Sequence, residues 1–332
     1  MRIGFLGAGA WGFCLANMLA ENGHEVVLWI GRMGLRDLIE KRGGDVLSPK
    51  GEEKGSLNLT TELREAVTEV DMVVESVTSK GLRPVLEQVA ALQVDLPSLV
   101  ITSKGIEQGT GLLLCEVAVD VFGQGFKEKV GCLSGPSLAD EVGQKIPTSV
   151  ACAGYSPDLV AEIEHIFTNS YFTVYPCSDM LGTCFGGAMK NIIAIACALS
   201  DGLGFGQNTK AALMTHGLHE IQKLSPLKGC NPKTLVGLAG LGDLTATCLS
   251  TSSRNYKFGS LLAAGYSADQ AEEKIGMVVE GAYTCVSALQ LAKTRELDLP
   301  ITEAVHAVIY ERLDPKEAIQ TLLKKAVKLQ HL

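Results

Sequence analysis

At 332 residues the chain is long for one hydrophobic core and fits two domains. With 46% hydrophobic and 20% charged residues and no fixed repeat, it reads as a soluble globular protein and not as a disordered or repeat one. A formal charge of −8 argues against nucleic acid as a partner, while leaving room for a local basic pocket.

The first element raises the question of targeting. Residues 3–20 carry no charged side chain, yet only residues 3–6 precede the first dense glycines. A signal peptide wants a continuous apolar core of roughly 7 to 15 residues, and glycines such as Gly4, Gly7, Gly9 and Gly12 would each weaken a membrane helix by roughly 1 kcal/mol. A strand at 3–6, a turn and a helix at 13–22 ended by Gly23 explain the glycines instead. Gly7-Ala8-Gly9-Ala10-Trp11-Gly12 matches G-x-G-x-x-G. The first glycine permits the tight turn, the second admits a pyrophosphate close to the backbone, the third lets helix pack on strand, and the phosphates sit on the helix N-terminus. This is a dinucleotide-binding pattern, and with no signal the expected compartment is the cytoplasm.

Residues 24–30 (HEVVLWI) read as a second buried strand, followed by a polar stretch at 31–61 expected to contain one short helix. Strand-length apolar runs then recur at 72–77, 99–102, 130–133, 148–153 and 172–175, separated by helical patterns. Apolar strands alternating with helices give a parallel sheet covered on both faces. The expected class is α/β: a Rossmann-type, doubly wound, mostly parallel sheet followed by an all-helical domain. No strand pattern follows Asp179, so residues 1–178 are expected to bind the dinucleotide and residues 179–332 to bind substrate and carry the catalysis.

Residues 180–199 (MLGTCFGGAMKNIIAIACAL) are apolar enough to suggest a membrane span, and Gly182 and Gly186 have the spacing of a membrane helix pair. Lys190 sits in the middle, where insertion costs about 2.5 to 3.5 kcal/mol, and no basic flanks frame a span. A core helix with a site on it is the expectation. The ten cysteines never form C-x-x-C and mostly lie in apolar runs, so they read as buried thiols in a reducing compartment, with no metal site.

Chemistry is expected at five further places. After the second strand, Ile30, Gly31 and Arg32 stand where NAD-specific proteins carry an acid, and an arginine there suits the 2′-phosphate of NADPH, with NADH tolerated. A solvated surface arginine is the alternative. Lys104 in Ser103-Lys104-Gly105, and Gly135 and Ser137 in Ser134-Gly135-Pro136-Ser137, follow strands and so fall at the sheet's ligand edge. Singly they read as a surface lysine and a cap for a helix starting at Leu138; together they suggest recognition of an anion. The stretch 237–244 (GLAGLGDL) is too glycine-rich for a regular helix and too apolar for a solvated loop, and it ends on Asp243. Ser253-Arg254-Asn255 offers a bidentate fork with single donors on each side, as a phosphate requires, unless Ser253 merely caps a helix.

These stretches, with SKGIE (103–107), SGPSLADEV (134–142), GAMKNIIAIA (187–196), NTKAALMTHGLHEI (208–221) and VVEG (278–281), resemble the bacterial NAD(P)-dependent glycerol-3-phosphate dehydrogenases from Gly7 to about Tyr310. The resemblance implies reversible reduction of dihydroxyacetone phosphate to sn-glycerol 3-phosphate for phospholipid synthesis, and a helical domain of the 6-phosphogluconate dehydrogenase type. It implies Lys190 as proton donor and acceptor. Lys104, Gly135, Ser137, Asn191, Asp243, Ser253, Arg254 and Asn255 fall on substrate-binding positions. Gly7, Gly9, Ala10, Trp11, Gly12, Arg32, Lys104, Ala139, Arg254, Val278 and Glu280 fall on contacts to NADP or NAD. A small phosphorylated substrate is the implied partner, and a homodimer is compatible with the resemblance. Two departures stand out: the loop at 75–84 lacks a proline directly after its strand, and His216 stands where arginine is common. A hydroxy-acid dehydrogenase would share the fold without a reason for the phosphate cluster, and a nucleotide sensor would not need a buried lysine.

Overall fold

The computed structural model describes residues 1–31 and 55–326. The chain divides into two compact units, Met1–Ser103 with Leu114–Met180, and Lys104–Leu113 with Leu181–Leu332.

In the first unit, β1 (Arg2–Leu6), α1 (Ala10–Glu21) and β2 (Glu25–Trp29) open the fold. They are followed by β3 (Ser56–Thr60), β4 (Met72–Glu75), α2 (Ser79–Ala91), β5 (Leu99–Ile101), α3 (Leu114–Phe122) and β6 (Val130–Ser134). The unit closes with α4 (Ala139–Gly143), β7 (Thr148–Gly154), α5 (Pro157–Phe167) and β8 (Phe172–Cys177). The described strands form one sheet in the order β3-β2-β1-β4-β5-β6-β7-β8. Direction reverses on either side of β1, which makes the ends of β1 and β4 a switch point where ligands bind in open α/β sheets.

Two features depart from expectation. The stretch read as polar contains β3, which pairs with β2 so that Val26 faces Leu57 and Leu28 faces Leu59. An edge strand needs only one apolar face, and two leucines among polar residues give too weak an alternation to separate from a loop. The short helix expected in 31–61 falls on 32–54, outside the described residues. The second departure is β7, which runs antiparallel to β6 and parallel to β8. Helix α4 has five residues, a rise of about 7 Å, too short to carry the chain back along β6, so β7 returns in the opposite direction. The eleven-residue α5 is long enough for a parallel crossover to β8. The core lies between Ile3, Phe5, Leu28 and Val74 of the strands and Leu15, Leu19, Ile163 and Phe167 of the helices.

The second unit holds α6 (Met180–Gly202), α7 (Gln207–Leu224), α8 (Asp243–Leu249), α9 (Arg254–Ala263), α10 (Ala268–Ile275), α11 (Glu280–Lys293), α12 (Pro300–Tyr310) and α13 (Pro315–Ala326). Helix α6 is the apolar stretch that raised the membrane question. Its mean hydropathy is 1.4, and 89% of its apolar stretch is buried inside the protein, as a core helix requires. Its neighbours come close through glycine. A Cβ on Gly259 of α9 would lie 2.5 Å from the Ile195 carbonyl oxygen, and one on Gly281 of α11 would lie 2.6 Å from that of Asn191. Asn255 pairs with Asn191, Gly259 abuts Ile195 and Ala263 abuts Gly202, so α9 runs beside α6 in the same direction. All ten cysteines are thiols, and burial pushes those of Cys152 and Cys285 up to about 12.

The contact at Gly259 sets a test of this packing. Gly259→Ala is expected to destabilise the protein by about 1 to 3 kcal/mol, because backbone must move to admit a methyl group. Gly143→Ala, whose Cβ meets nothing within 4 Å, is expected to be neutral or stabilising by up to about 1 kcal/mol. Urea unfolding of both variants would measure this, and indistinguishable curves would show that the α6–α9 approach is slack.

Candidate active site

The second unit gathers three charged side chains from distant parts of the sequence. Lys190 lies mid-way along α6 and is 8% exposed, and Asp243 is 1% exposed at the start of α8. The Lys190 ammonium donates to Asp243 Oδ1 at 2.5 Å and to Thr247 Oγ1 at 2.6 Å. Lys104 Nζ donates to the other carboxylate oxygen, Oδ2, at 2.5 Å. Thr247 stands one helical turn beyond Asp243 and donates back to the Asp243 carbonyl at 2.7 Å. The glycine-rich stretch before Asp243 forms a π-helical turn, Leu238–Gly242, that runs directly into α8. Burial pushes the Lys190 ammonium down to about 8; Asp243 opposes that shift and the Lys104 charge adds to it.

A second set of residues lies on the first turn of α9. Asn255 Nδ2 donates to Asn191 Oδ1 at 2.9 Å, and Asn255 Oδ1 accepts from the Gly281 amide at 2.8 Å. This ties α9 to the residue beside Lys190 and to the start of α11, next to Glu280. Ser253 is the N-cap of α9, its Oγ accepting from the Tyr256 amide at 3.4 Å. The cap uses a lone pair and leaves the hydroxyl hydrogen for a ligand, so cap and anion donor are compatible roles. Arg254 is exposed and donates through Nη1 to the Val278 carbonyl at 3.2 Å.

The first unit supplies the glycine turn. Gly7 has φ +104°, and a Cβ on Gly12 would lie 2.2 Å from the Gly7 carbonyl oxygen. At Gly9, the N-cap of α1, nothing lies within 4 Å of a Cβ, and no acid stands in the helix's first turn. Open backbone at a helix N-terminus fits a dinucleotide pyrophosphate. Ala10 begins α1 and Trp11 follows it, half-buried; Cys14, one turn on, donates its thiol to the Ala139 carbonyl at 3.4 Å. Trp11 and Ala139 therefore belong to one neighbourhood. Gly135 has φ +147°. Ser137 does not cap a helix: α4 starts at Ala139 with Leu138 as its N-cap, and Ser137 Oγ donates instead to the Gly135 carbonyl at 3.0 Å. One residue too early to reach the helix amides, the hydroxyl closes the turn before them. Arg32 lies outside the described residues.

The family described as NAD-dependent glycerol-3-phosphate dehydrogenase matches the chain twice, its N-terminus at residues 2–160 and its C-terminus at residues 179–320. The chain belongs to this family. A curated relative named glycerol-3-phosphate dehydrogenase [NAD(P)+], from Protochlamydia amoebophila, is 53% identical over 100% of this chain and 99% of its own. One of the same name from Chlamydia felis is 49% identical over 100% and 99%. A crystal structure of glycerol-3-phosphate dehydrogenase from Coxiella burnetii superposes with a TM-score of 0.89 at 35% identity, covering 97% of this chain and 98% of that one.

Within a glycerol-3-phosphate dehydrogenase scaffold, the atypical loop at 75–84 has its own internal support. Glu75 is fully buried, and its Oε1 accepts from the Val77 amide at 2.6 Å and from Ser103 Oγ at 2.7 Å, while Ser103 also donates to the Val77 carbonyl. The carboxylate thus closes the turn after β4 where the family often places proline. His216 lies half-buried on α7, and nothing in the structure explains it. Thr247 is the site residue that sequence reasoning missed; its place four residues after Asp243 on a helix was the available signal.

The lowered Lys190 value has a stability consequence. An unfolded lysine keeps its proton up to about 10.5, whereas native Lys190 loses it near 8. Below pH 8 both states are protonated and the burial penalty is present in full. Between 8 and 10.5 the unfolded state binds more protons, so stability rises with pH. Wild-type protein is therefore expected to gain up to about 3 kcal/mol relative to Lys190→Met across this window. Denaturant melts of the pair at several pH values would check it; a constant difference would show an unshifted lysine.

Proposed function

We propose that the chain reversibly reduces dihydroxyacetone phosphate to sn-glycerol 3-phosphate with NADPH or NADH, Lys190 serving as proton donor and acceptor. The observation that carries this reading is a buried ammonium, held by Asp243 and Thr247, that burial pushes down to about 8. When bound, the nicotinamide supplies the hydride that reaches the ketone carbon. Charge then develops on the ketone oxygen, which needs a proton and a positive field. Asp243 and Thr247 take two of the three Lys190 hydrogens, and the third serves the oxygen. Lys104, on the other carboxylate oxygen, binds substrate, adds to the field and keeps the Lys190 proton labile. Arg254 grips the phosphate as a bidentate fork, with Ser253, Asn255 and Asn191 beside it, and that grip orients the ketone. Gly135 and Ser137 complete the substrate contacts.

On the cofactor side, Gly7, Gly9, Ala10, Trp11 and Gly12 receive the dinucleotide together with Ala139, Arg254, Val278 and Glu280. Arg32 holds the 2′-phosphate of NADPH in this reading. In this reading residues 1–178 bind the dinucleotide and 179–332 bind substrate and carry the catalysis, with Lys104–Leu113 belonging to the second unit. The product is the three-carbon backbone of glycerophospholipids, so phospholipid synthesis in the cytoplasm is the proposed setting. A homodimer is proposed on family resemblance alone.

Lys190→Met is expected to fold, to bind NADPH, and to lose at least about 10² to 10⁴ in kcat. In wild type, reduction needs the ammonium and oxidation the free amine. The reduction rate should therefore fall as pH rises through about 8 and the oxidation rate should rise through the same point. Normal turnover by Lys190→Met, or parallel profiles in the two directions, would remove Lys190 from this role.

A further inference from the structure

A cluster beside α9 takes no part in the chemistry above. Asp201, near the end of α6, pairs through Oδ2 with Lys210 Nζ of α7 at 2.5 Å. The Tyr256 hydroxyl of α9 donates to the same oxygen, and Lys210 Nζ lies 5.2 Å from the Tyr256 ring centroid. Lys210 is 6% exposed and Tyr256 is 8% exposed. Asp201 stands eleven residues beyond Lys190 on one helix, a rise of about 16 Å, so this cluster does not touch the reacting atoms. Its reach is through α9. Tyr256 closes the first turn by giving its amide to Ser253 Oγ, while the preceding Asn255 is tied to Asn191 and Gly281. Arg254 sits between these anchors, on the turn that Asn255 and Tyr256 hold to α6 and α11.

We infer that Tyr256, held by Asp201 and Lys210, is a positioning residue for Arg254, setting the direction of the phosphate-binding fork. The inference rests on the reading that Arg254 grips the substrate phosphate. An exposed arginine loses affinity in proportion to the conformations it must give up on binding, and a fixed backbone turn removes part of that loss beforehand. The trio is also matched to the task. The half-buried Asp201 carboxylate, shared by an ammonium and a phenol, stays charge-balanced, so it ties three helices together without an unpaired charge.

The test uses Tyr256→Phe, which keeps the ring under Lys210 and leaves the Asp201–Lys210 pair intact. Steady-state reduction would be measured with dihydroxyacetone phosphate and with dihydroxyacetone, the same ketone without phosphate, in wild-type and Arg254→Ala backgrounds. KM for dihydroxyacetone phosphate is expected to rise about tenfold with kcat held within about twofold. Dihydroxyacetone reduction should not change, and in the Arg254→Ala background Tyr256→Phe should add nothing. Equal losses with both ketones, or a full effect persisting without Arg254, would reduce Tyr256 to a packing role and overturn the inference. An Arg254→Ala enzyme with unchanged KM for dihydroxyacetone phosphate would overturn the phosphate reading itself, and this inference with it.

Discussion

One carboxylate shared by two ammonium groups governs the second unit. Asp243 is almost wholly buried, with Lys190 on one oxygen and Lys104 on the other. Remove the carboxylate and two positive charges would confront each other in a medium that solvates neither. Much of the local structure serves that meeting. The chain must turn tightly before α8 to deliver Asp243, and a Cβ on Gly240 would lie 2.1 Å from the Leu235 carbonyl oxygen. The glycine-rich stretch that looked neither helical nor solvated is the price of that delivery. Its π-helical turn is a form that recurs at functional sites because it re-aims the residue that follows.

Helix α6 is the reference to which the other parts are aligned. It carries Lys190 and Asn191 toward its middle and Asp201 toward its end, and close glycine contacts leave its neighbours little freedom to slide. A proton donor, the role proposed for Lys190, works best when its partners are already in place, since reorganising dipoles during reaction raises the barrier. The packing around α6 provides that fixity. It also explains why a lysine is tolerated there: stability is given up locally, at a position where charge is useful, and recovered in the apolar length of the helix.

The parts of the fold that sequence made legible are those with strong contrast. Apolar runs between glycines announced the buried strands, and Lys190 was conspicuous because it is the one charged residue in 180–199. Edge strand β3 was hidden because a strand buried on one face needs few apolar residues, and the reversal at β7 because it depends on the length of α4. Ser137 was misassigned by one residue, a shift that decides whether a hydroxyl meets helix amides or the Gly135 carbonyl. Thr247 carries no contrast at all; a threonine one turn from an aspartate becomes part of a site only once α8 is folded against α6. The trio of residues 201, 210 and 256 was equally silent, because nothing local in a sequence links positions so far apart. Glu75 shows the converse case: the loop at 75–84 stood out for lacking a proline directly after its strand, and a buried carboxylate that nothing in the pattern singled out closes the turn there.

The segment Lys104–Leu113 belongs to the second unit, although β5 and β6 on either side of it pair in the first unit's sheet. The polypeptide therefore crosses between units at residues 103–104, 113–114 and 180–181. No single cut separates them. A gene fragment starting at codon 181 would encode Asp243 and Lys190 without Lys104, and its core would lack Ile106 and Leu113, both fully buried. A fragment ending at codon 180 would carry those two side chains away from the unit that covers them. Transplanting the second unit into another scaffold thus means carrying two discontinuous pieces of coding sequence, the shorter only ten residues long.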